Sequence, residues 1–442
     1  MTTPAPFSGK ALTAPTARPL VAVLTLALIT RLAAALYLGE AVTALPGIAD
    51  QLSYHALALR VLGGHGFSFE QAWWPMTAAG APTAHWSFLY TLYLAAVYAV
   101  TGVHPLAARL LQVVAAGILW PWLTYRLTWR VFKSWPAVSR IAWLAALWTA
   151  LYGYFIYYSA ALMTETFYIL AILWTLDCSL RLVERPAAPW RMWLELGLAL
   201  GVAVLLRQVF LLFIPFLFLW LVWRRWAALR RTLSGLALAL VLLGLLIGPF
   251  AWRNWRVFHH FVLLNTNAGF AFYWSNHPIH GTRFIPLFTD DMPSYQDLTP
   301  PELLSLNEAE LSDALMARGL DFIRADPVRF IRLSLSRIPV YFMFWPSSAS
   351  SLLSNLVRVS SLGVALPFML IGAWRWWRSP ARHADPAAAD GFLLLLFILV
   401  YSAVHLASWA GIRYRLPVDA AALIFAAYGL QSLLPLRLAS EA

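Results

Sequence analysis

The sequence predicts an all-α polytopic membrane protein, a single bundle of about ten to twelve transmembrane helices with two large loops on one face. Three observations carry this reading. Of 442 residues, 61% are hydrophobic and only 12% charged, whereas soluble domains carry about 25% charged residues. Apolar runs at 20–38, 232–252 and 391–408 reach the length of about 20 residues that a helix needs to cross a bilayer. The basic residues fall in short clusters between such runs, as membrane topology requires.

The clusters set the order of the spans. They lie at Lys10/Arg18, Arg126/Arg130/Lys133/Arg140, Arg181/Arg185/Arg191, Arg224/Arg225/Arg230/Arg231 and Arg375/Arg378/Arg382. If all are cytoplasmic, the spans between them come in pairs. Residues 1–19 then form a cytoplasmic tail before a retained first span at 20–38. Only one inward span fits before Arg126, and 107–123 suits it best. The apolar stretch 85–100 is therefore expected to lie against the outer leaflet, inside a first outward loop over 39–106, with a second interfacial helix around 50–63. Residues 141–158 go out, 165–180 return and 193–206 go out. The run 208–222 returns from a hairpin at Arg207 and Gln208, because one continuous helix would hold Arg207 in the membrane at about 2.5–3.5 kcal/mol. After 232–252 comes a second large outward loop over 253–327. Residues 328–345 are amphipathic and either span or lie on the surface. Residues 356–374, 391–408 and 416–434 complete a single membrane-embedded domain over 1–435, with a linker-like loop at 378–390.

Composition also excludes. A net charge of +12 on a soluble chain would suggest nucleic acid, but here the charge belongs to topology, so no nucleic-acid partner is expected. Cys178 is the only cysteine, which leaves no intrachain disulfide and no thiolate metal site. The 23 Trp and 17 Tyr suit interfacial belts. With these spans the outer face collects Asp50, Tyr54, His55, His65 and His85 from the first loop, Met163 to Thr166 from a turn, and Arg207 and Gln208 from the hairpin. Asn265, Asn267, Asn276 and His277 come from the second loop, and Arg413, Tyr414 and Arg415 from the start of the last span. The cytoplasmic face offers basic clusters and little else. A transporter would place ionisable groups near the midplane. The one-sided arrangement suggests a site at the membrane surface.

The order of the motifs carries a resemblance. Asp50-Gln51-Leu52-Ser53-Tyr54 is followed by Gly63-Gly64-His65-Gly66, then Ala108-Arg109, Tyr157-Tyr158-Ser159, Met163-Thr164-Glu165-Thr166 and Arg413-Tyr414-Arg415-Leu416-Pro417. Over roughly residues 20–435 this set resembles the membrane glycosyltransferases of family 39, which include the protein O-mannosyltransferases and the aminoarabinose transferase of lipid A, within the GT-C fold. The resemblance implies transfer of a sugar from a polyprenyl-phosphate carrier to a glycan, lipid or protein acceptor at the outer face of a bacterial inner membrane, with inversion. It implies Asp50 as the base on the acceptor hydroxyl, or as the holder of a divalent ion, with Glu165 supporting it. Arg207 and Arg413 or Arg415 would bind the carrier phosphate, one of the last two serving instead in a structural pair. Tyr54, His85 and Asn267 complete the expected substrate-binding set. Where the family often has a second acid this chain has Gln51, which argues against a required metal at that position and admits a non-catalytic assembly subunit. A lipid-linked glycan flippase is the other competing class. The plain readings stand beside these: Asp50 as a helix N-cap, Glu165 as a cap or pair, Arg207 as a headgroup anchor, His85 as an interfacial partner of Trp86, and Asn267 as a turn former.

Overall fold

The computed structural model describes residues 14–434 except 136, 287, 289–290, 349 and 381–388. Most of the expected N-terminal tail, with Lys10, lies outside these residues, as do Arg382 and most of the 378–390 linker. Among the described residues the chain is helical, with only isolated bridges at Ser68–Pro82 and Trp73–Thr77. The helices are α1 (Ala14–Leu38), α2 (Asp50–Leu62), α3 (Phe88–Thr101), α4 (Pro105–Val131), α5 (Val138–Leu151), α6 (Gly153–Ala160), α7 (Glu165–Glu184), α8 (Trp190–Leu206), α9 (Ile214–Arg224) and α10 (Leu229–Phe258). Then follow α11 (Asn267–Asn276), α12 (Glu308–Ala325), α13 (Pro327–Tyr341), α14 (Leu352–Arg358), α15 (Val364–Arg378), α16 (Gly391–Ala407) and α17 (Ile412–Gln431). Among the described residues five helical segments are long and apolar enough to cross a membrane, α14 to α15 counting as one, and the bent pair α5–α6, taken as one span, makes a sixth. The others cross, where they do, as shorter helices inside the bundle.

Contacts fix the directions. The Glu40 carboxylate, just after α1, accepts from the Leu106 amide at the start of α4 at 2.9 Å, and Gly117 lies against the backbone of Ala27 and Leu28. The helices α1 and α4 are thus antiparallel. Arg207 after α8 meets Thr164 before α7, while Arg181 of α7 meets Glu195 of α8, so these also run opposite ways. Gly197 and Gly201 of α8 face Ala239 and Leu246 of α10 in the same order, so α8 and α10 are parallel and α9 returns between them. The expected hairpin at Arg207 is present: the helix ends there with extended backbone and a 3-10 turn, Gln208–Leu212, follows.

The two ends of this bundle differ. One holds Asp50 and both large loops; the other holds the basic clusters. The helix α3 begins with Ser87, whose hydroxyl donates to the Leu205 carbonyl at the end of α8 at 2.9 Å, and it finishes three residues before α4. Both its ends lie at the Asp50 end, so α3 does not cross. The helix α13 also stays there, because Arg337 donates to the carbonyls of Ser275 and Leu406 and Tyr341 Oη to that of Tyr414. Its opposite side leaves Val328, Ile331, Leu335 and Ile338 exposed, the stripe of an interfacial helix. The choice left open for 328–345 is thus a surface helix. Glu308 joins the two loops: its carboxylate accepts from Thr77 Oγ1 at 2.9 Å, the Ala84 amide at 2.8 Å and Thr266 Oγ1 at 2.8 Å.

Three features depart from the sequence reading. The span over 141–158 is broken at Tyr152 by a 53° bend, and the fully buried Arg31 donates to the Thr149 and Ala150 carbonyls at 2.9 Å each, groups that the break leaves without helical partners. The helix α10 runs six residues into the expected second loop. At the basic end the arginines are not alone: buried Asp177 pairs with Arg126, Arg130 and Arg181, Glu184 with Arg130 and Lys133, Glu195 with Arg181, and Asp390 with Arg224. Counting basic residues alone had hidden these acids, because they lie inside apolar helices and next to linkers.

Candidate active site

Four helix ends converge at the Asp50 end of the bundle, and each brings one charge. Asp50 opens α2 and Glu165 opens α7, where an acid in the first turn is favoured by the helix dipole. Arg207 is the residue that ends α8, and Arg413 is the second residue of α17. Arg413 Nη1 donates to Asp50 Oδ2 at 2.8 Å, and its Nε lies 3.5 Å from Glu165 Oε1. Arg207 donates through Nη2 to the same Glu165 oxygen and through Nε to Thr164 Oγ1 at 2.9 Å. The result is a chain of alternating charge, Asp50–Arg413–Glu165–Arg207. Its members are unequally shielded: the Glu165 side chain is 2% exposed and that of Asp50 29%.

The helix-cap reading of Asp50 is corrected here. Ala49 is the residue that precedes the helix, its backbone is already helical, and no side chain caps that end. The carboxylate reaches across to Arg413 instead, in a charge-assisted bond. Glu165 is likewise a pairing residue, on Arg207 and Arg413.

Around this chain stand aromatic groups that hydropathy cannot single out. Tyr414 Oη accepts from Arg413 Nη2 at 2.9 Å, and its ring lies 5.6 Å from the Arg207 guanidinium. The Tyr168 ring is 5.5 Å from the same guanidinium. Tyr414 thus touches both cations, though its motif had drawn attention only to the arginines on either side. Tyr54, one turn after Asp50, is buried edge-on against Trp86 and Tyr90 at 5.5 and 4.9 Å. Burial, and then the nearby Asp50, push its phenol upward, so it stays protonated. His85 sits between Trp86 and Phe270 with Nδ1 buried and without a hydrogen-bond partner. Burial pushes it down to about 4 against the pull of Glu308 and Asp50, which favours the uncharged imidazole at neutral pH.

Two expected residues stand apart. Arg415 is fully buried, with Nε donating to Asp419 at 2.9 and 3.1 Å and Nη1 to the Tyr341 carbonyl. Asp419 also accepts from Tyr152 Oη at 2.7 Å. Residues two apart on a helix point to opposite sides, so only one arginine of the Arg413-Tyr414-Arg415 run can face Asp50. Asn267 is exposed at the start of α11, with Oδ1 3.5 Å from Nε2 of Gln208, the residue after Arg207, and has no hydrogen bond to the four charges. His55 is occupied by Tyr98 Oη at 2.9 Å.

Gln51 has a different duty from that of a missing metal ligand. It is fully buried, donates to the Thr43 carbonyl at 2.5 Å and accepts from Arg109 at 3.2 Å. Arg109 in turn donates to the carbonyls of Gly39, Ala41 and Ala160. The pair pins the start of the first loop and faces away from Arg413. Each carboxylate is engaged by a guanidinium, Asp50 by Arg413 and Glu165 by Arg207 and Arg413. Among the described residues no three His, Cys, Asp or Glu side chains converge.

Residues 85–252, from just before α3 into α10, match the family described as dolichyl-phosphate-mannose-protein mannosyltransferase. No curated protein sequence matches the chain. Among solved structures, the archaeal oligosaccharyltransferase AglB from Archaeoglobus fulgidus, in complex with an inhibitory peptide and a dolichol-phosphate, superposes with a TM-score of 0.56 at 14% identity, over 95% of this chain and 50% of that one. The same enzyme in the apo form gives 0.56 at 14% identity, over 93% and 50%. The chain thus spans about half the length of the solved structure it matches. ArnT from Cupriavidus metallidurans bound to undecaprenyl phosphate gives 0.39 at 14% identity, over 96% and 79%. The chain is a multi-pass membrane protein with the fold of the GT-C glycosyltransferases, and over residues 85–252 it carries the sequence pattern of the dolichyl-phosphate-mannose-protein mannosyltransferase family.

Proposed function

We propose that the chain is a glycosyltransferase that moves a sugar from a polyprenyl-phosphate carrier to an acceptor hydroxyl at the outer face of the membrane, with inversion. The observation that carries this is the chain of two carboxylates and two guanidiniums built from four separate helix ends. Sugar transfer from a lipid phosphate needs both kinds of group. One carboxylate takes the proton of the attacking hydroxyl, and cations stand where negative charge grows on the leaving phosphate. Arginine suits the second task because its planar fork stays charged and matches phosphate oxygens two at a time.

Asp50 is the base in this reading, since it is the more exposed of the two acids. Glu165 stays buried and fixes the two guanidiniums. Arg207 and Arg413 receive the carrier phosphate, and Tyr414 and Tyr168 hold their planes. Two neighbours add support: AglB, which shares this fold, was solved with a dolichol-phosphate, and the matching family is named for a dolichyl-phosphate-linked donor.

The test is a transfer assay with purified full-length protein in nanodiscs, supplied with radiolabelled polyprenyl-phosphate sugars. Asp50→Asn is expected to lower kcat by about 10²–10⁴-fold, the usual contribution of a positioned base, with donor binding retained. Full activity in Asp50→Asn removes that residue from the chemistry. Movement of intact lipid-linked sugar across the bilayer without bond cleavage replaces the enzyme with a flippase.

A further inference from the structure

The chain of charge at the site balances itself: Asp50 and Glu165 carry two negative charges, Arg207 and Arg413 two positive ones. A phosphate that binds there competes with a carboxylate already in place. The geometry says which one yields. Glu165 is 2% exposed and bracketed by Arg207, Arg413 and Thr164, so displacing it would strand a buried charge. Asp50 is 29% exposed and paired with Arg413 Nη1, so it is the carboxylate that can turn towards water. Arg413 need not move when it does. Its Nη2 stays on Tyr414 Oη and its Nε stays near Glu165, while Nη1 alone is redirected.

We propose that Arg413 is an exchange residue, the counter-ion of Asp50 before the lipid phosphate arrives and of that phosphate afterwards, so that donor binding itself releases Asp50 as a free carboxylate. This rests on the carrier-phosphate reading above and adds an order to it. While Arg413 Nη1 donates to Asp50 Oδ2, that oxygen is engaged and is not free to take the proton of an acceptor hydroxyl. The acceptor hydroxyl therefore meets a competent base only when a donor is in place. The carrier binds first and the acceptor second. Tyr414 is the positioning residue of this exchange, since it holds the guanidinium at a fixed place while its anion is traded.

The exchange is read out without any turnover. Full-length protein in nanodiscs is treated with a water-soluble carbodiimide and an amine, and labelling of Asp50 and Glu165 is quantified by mass spectrometry, with and without undecaprenyl phosphate, which carries no sugar to transfer. Native mass spectrometry measures lipid binding in the same samples. The expected result is a several-fold rise in Asp50 labelling on lipid binding, with Glu165 protected throughout. In Arg413→Gln, Asp50 should label strongly with or without lipid, in protein that keeps the size-exclusion profile of the wild type. Lipid that binds while Asp50 labelling stays level or falls overturns the exchange and leaves the carrier reading standing. Lipid that does not bind overturns both. Asp50 that stays protected in folded Arg413→Gln shows that another group shields it, which also overturns the exchange.

Discussion

At the scale of single residues, the site turns on which charges are buried and which are paired. Glu165 is nearly inaccessible and serves two guanidiniums, so removing it leaves Arg207 as a part-buried cation without its carboxylate. Breaking one side of such a pair costs about 3–5 kcal/mol, whereas replacing both sides with apolar residues is often neutral. Glu165→Leu is thus expected to unfold at markedly lower temperature than the wild type, and Glu165→Leu with Arg207→Met to recover most of that loss while staying inactive in sugar transfer. Equal thermal stability of the single and double variants would show that the pair is not coupled. His85 makes a second prediction, about pH. Its folded-state value is depressed from 6.5 to about 4, so the unfolded chain takes up a proton at higher pH than the folded one. Its contribution is full above about 6.5, falls as pH drops through that window, and is level again below about 4. Thermal midpoints measured from pH 7.5 to 4 should decline less steeply in His85→Phe than in the wild type. The residues themselves were legible in the sequence, because Asp50, Glu165, Arg207 and Arg413 are polar groups placed at the ends of apolar runs. Their partners were not. Nothing in the one-dimensional pattern separates Arg413 from Arg415, which share a motif and a span, and only the direction of each on the helix sends one to Asp50 and the other to Asp419.

At the scale of elements, hydropathy and the spacing of basic loops were strong signals and local breaks were weak ones. The short apolar helix α3 could be read as non-crossing because an odd span would upset the pairing of basic loops. The hairpin at Arg207 could be read because the alternative puts an arginine in the bilayer. The bend at Tyr152 left no such trace: it falls between Leu151 and Gly153 in an unbroken apolar run, and what accommodates it is Arg31, far away in sequence. Tight packing of helices was equally invisible. Gly372 of α15 lies against the Phe425 carbonyl of α17, and Gly429 of α17 against the Phe368 carbonyl of α15, so neither position has room for a Cβ. Gly244 on α10 faces open space. Gly372→Ala is expected to cost about 1–3 kcal/mol, as overpacked interiors do, despite the gain in helix propensity. Gly244→Ala is expected to be stabilising by about 0.5–1 kcal/mol. Detergent-unfolding curves of the two variants, compared with the wild type, check both signs. Since Arg413 lies in the first turn of α17, the Gly372 variant should also weaken carrier binding if the α15–α17 contact sets the position of that arginine.

At the scale of the whole molecule, the fold separates two chemistries by the thickness of the bundle, and membrane topology decides which side each one faces. The basic end gathers Arg126, Arg130, Lys133, Arg140, Arg181, Arg185, Arg191, Arg224, Arg225, Arg230, Arg231, Arg375 and Arg378 in helix ends and in the short connections between them. The pairing of some of these with Asp177, Glu184, Glu195 and Asp390 does not weaken the inference, because acids contribute little to orientation. The Asp50 end has arginines too, but those of its long connections count for little, since long loops translocate largely regardless of charge. Arg207, Arg253, Arg413 and Arg415 there are bonded within the fold. The proposed function has the basic end in the cytoplasm and the four-charge site facing outward, the orientation that this bias favours. Two single-cysteine reporters read this directly, since native Cys178 is buried and gives no background. Gln71→Cys lies exposed in the first loop and Ala227→Cys exposed between α9 and α10. In intact spheroplasts a membrane-impermeant maleimide is expected to label the first and not the second, and detergent lysis should expose both. Labelling of Ala227→Cys alone would turn the molecule over and put Asp50 in the cytosol, and with it the supply of donor and the identity of the acceptor.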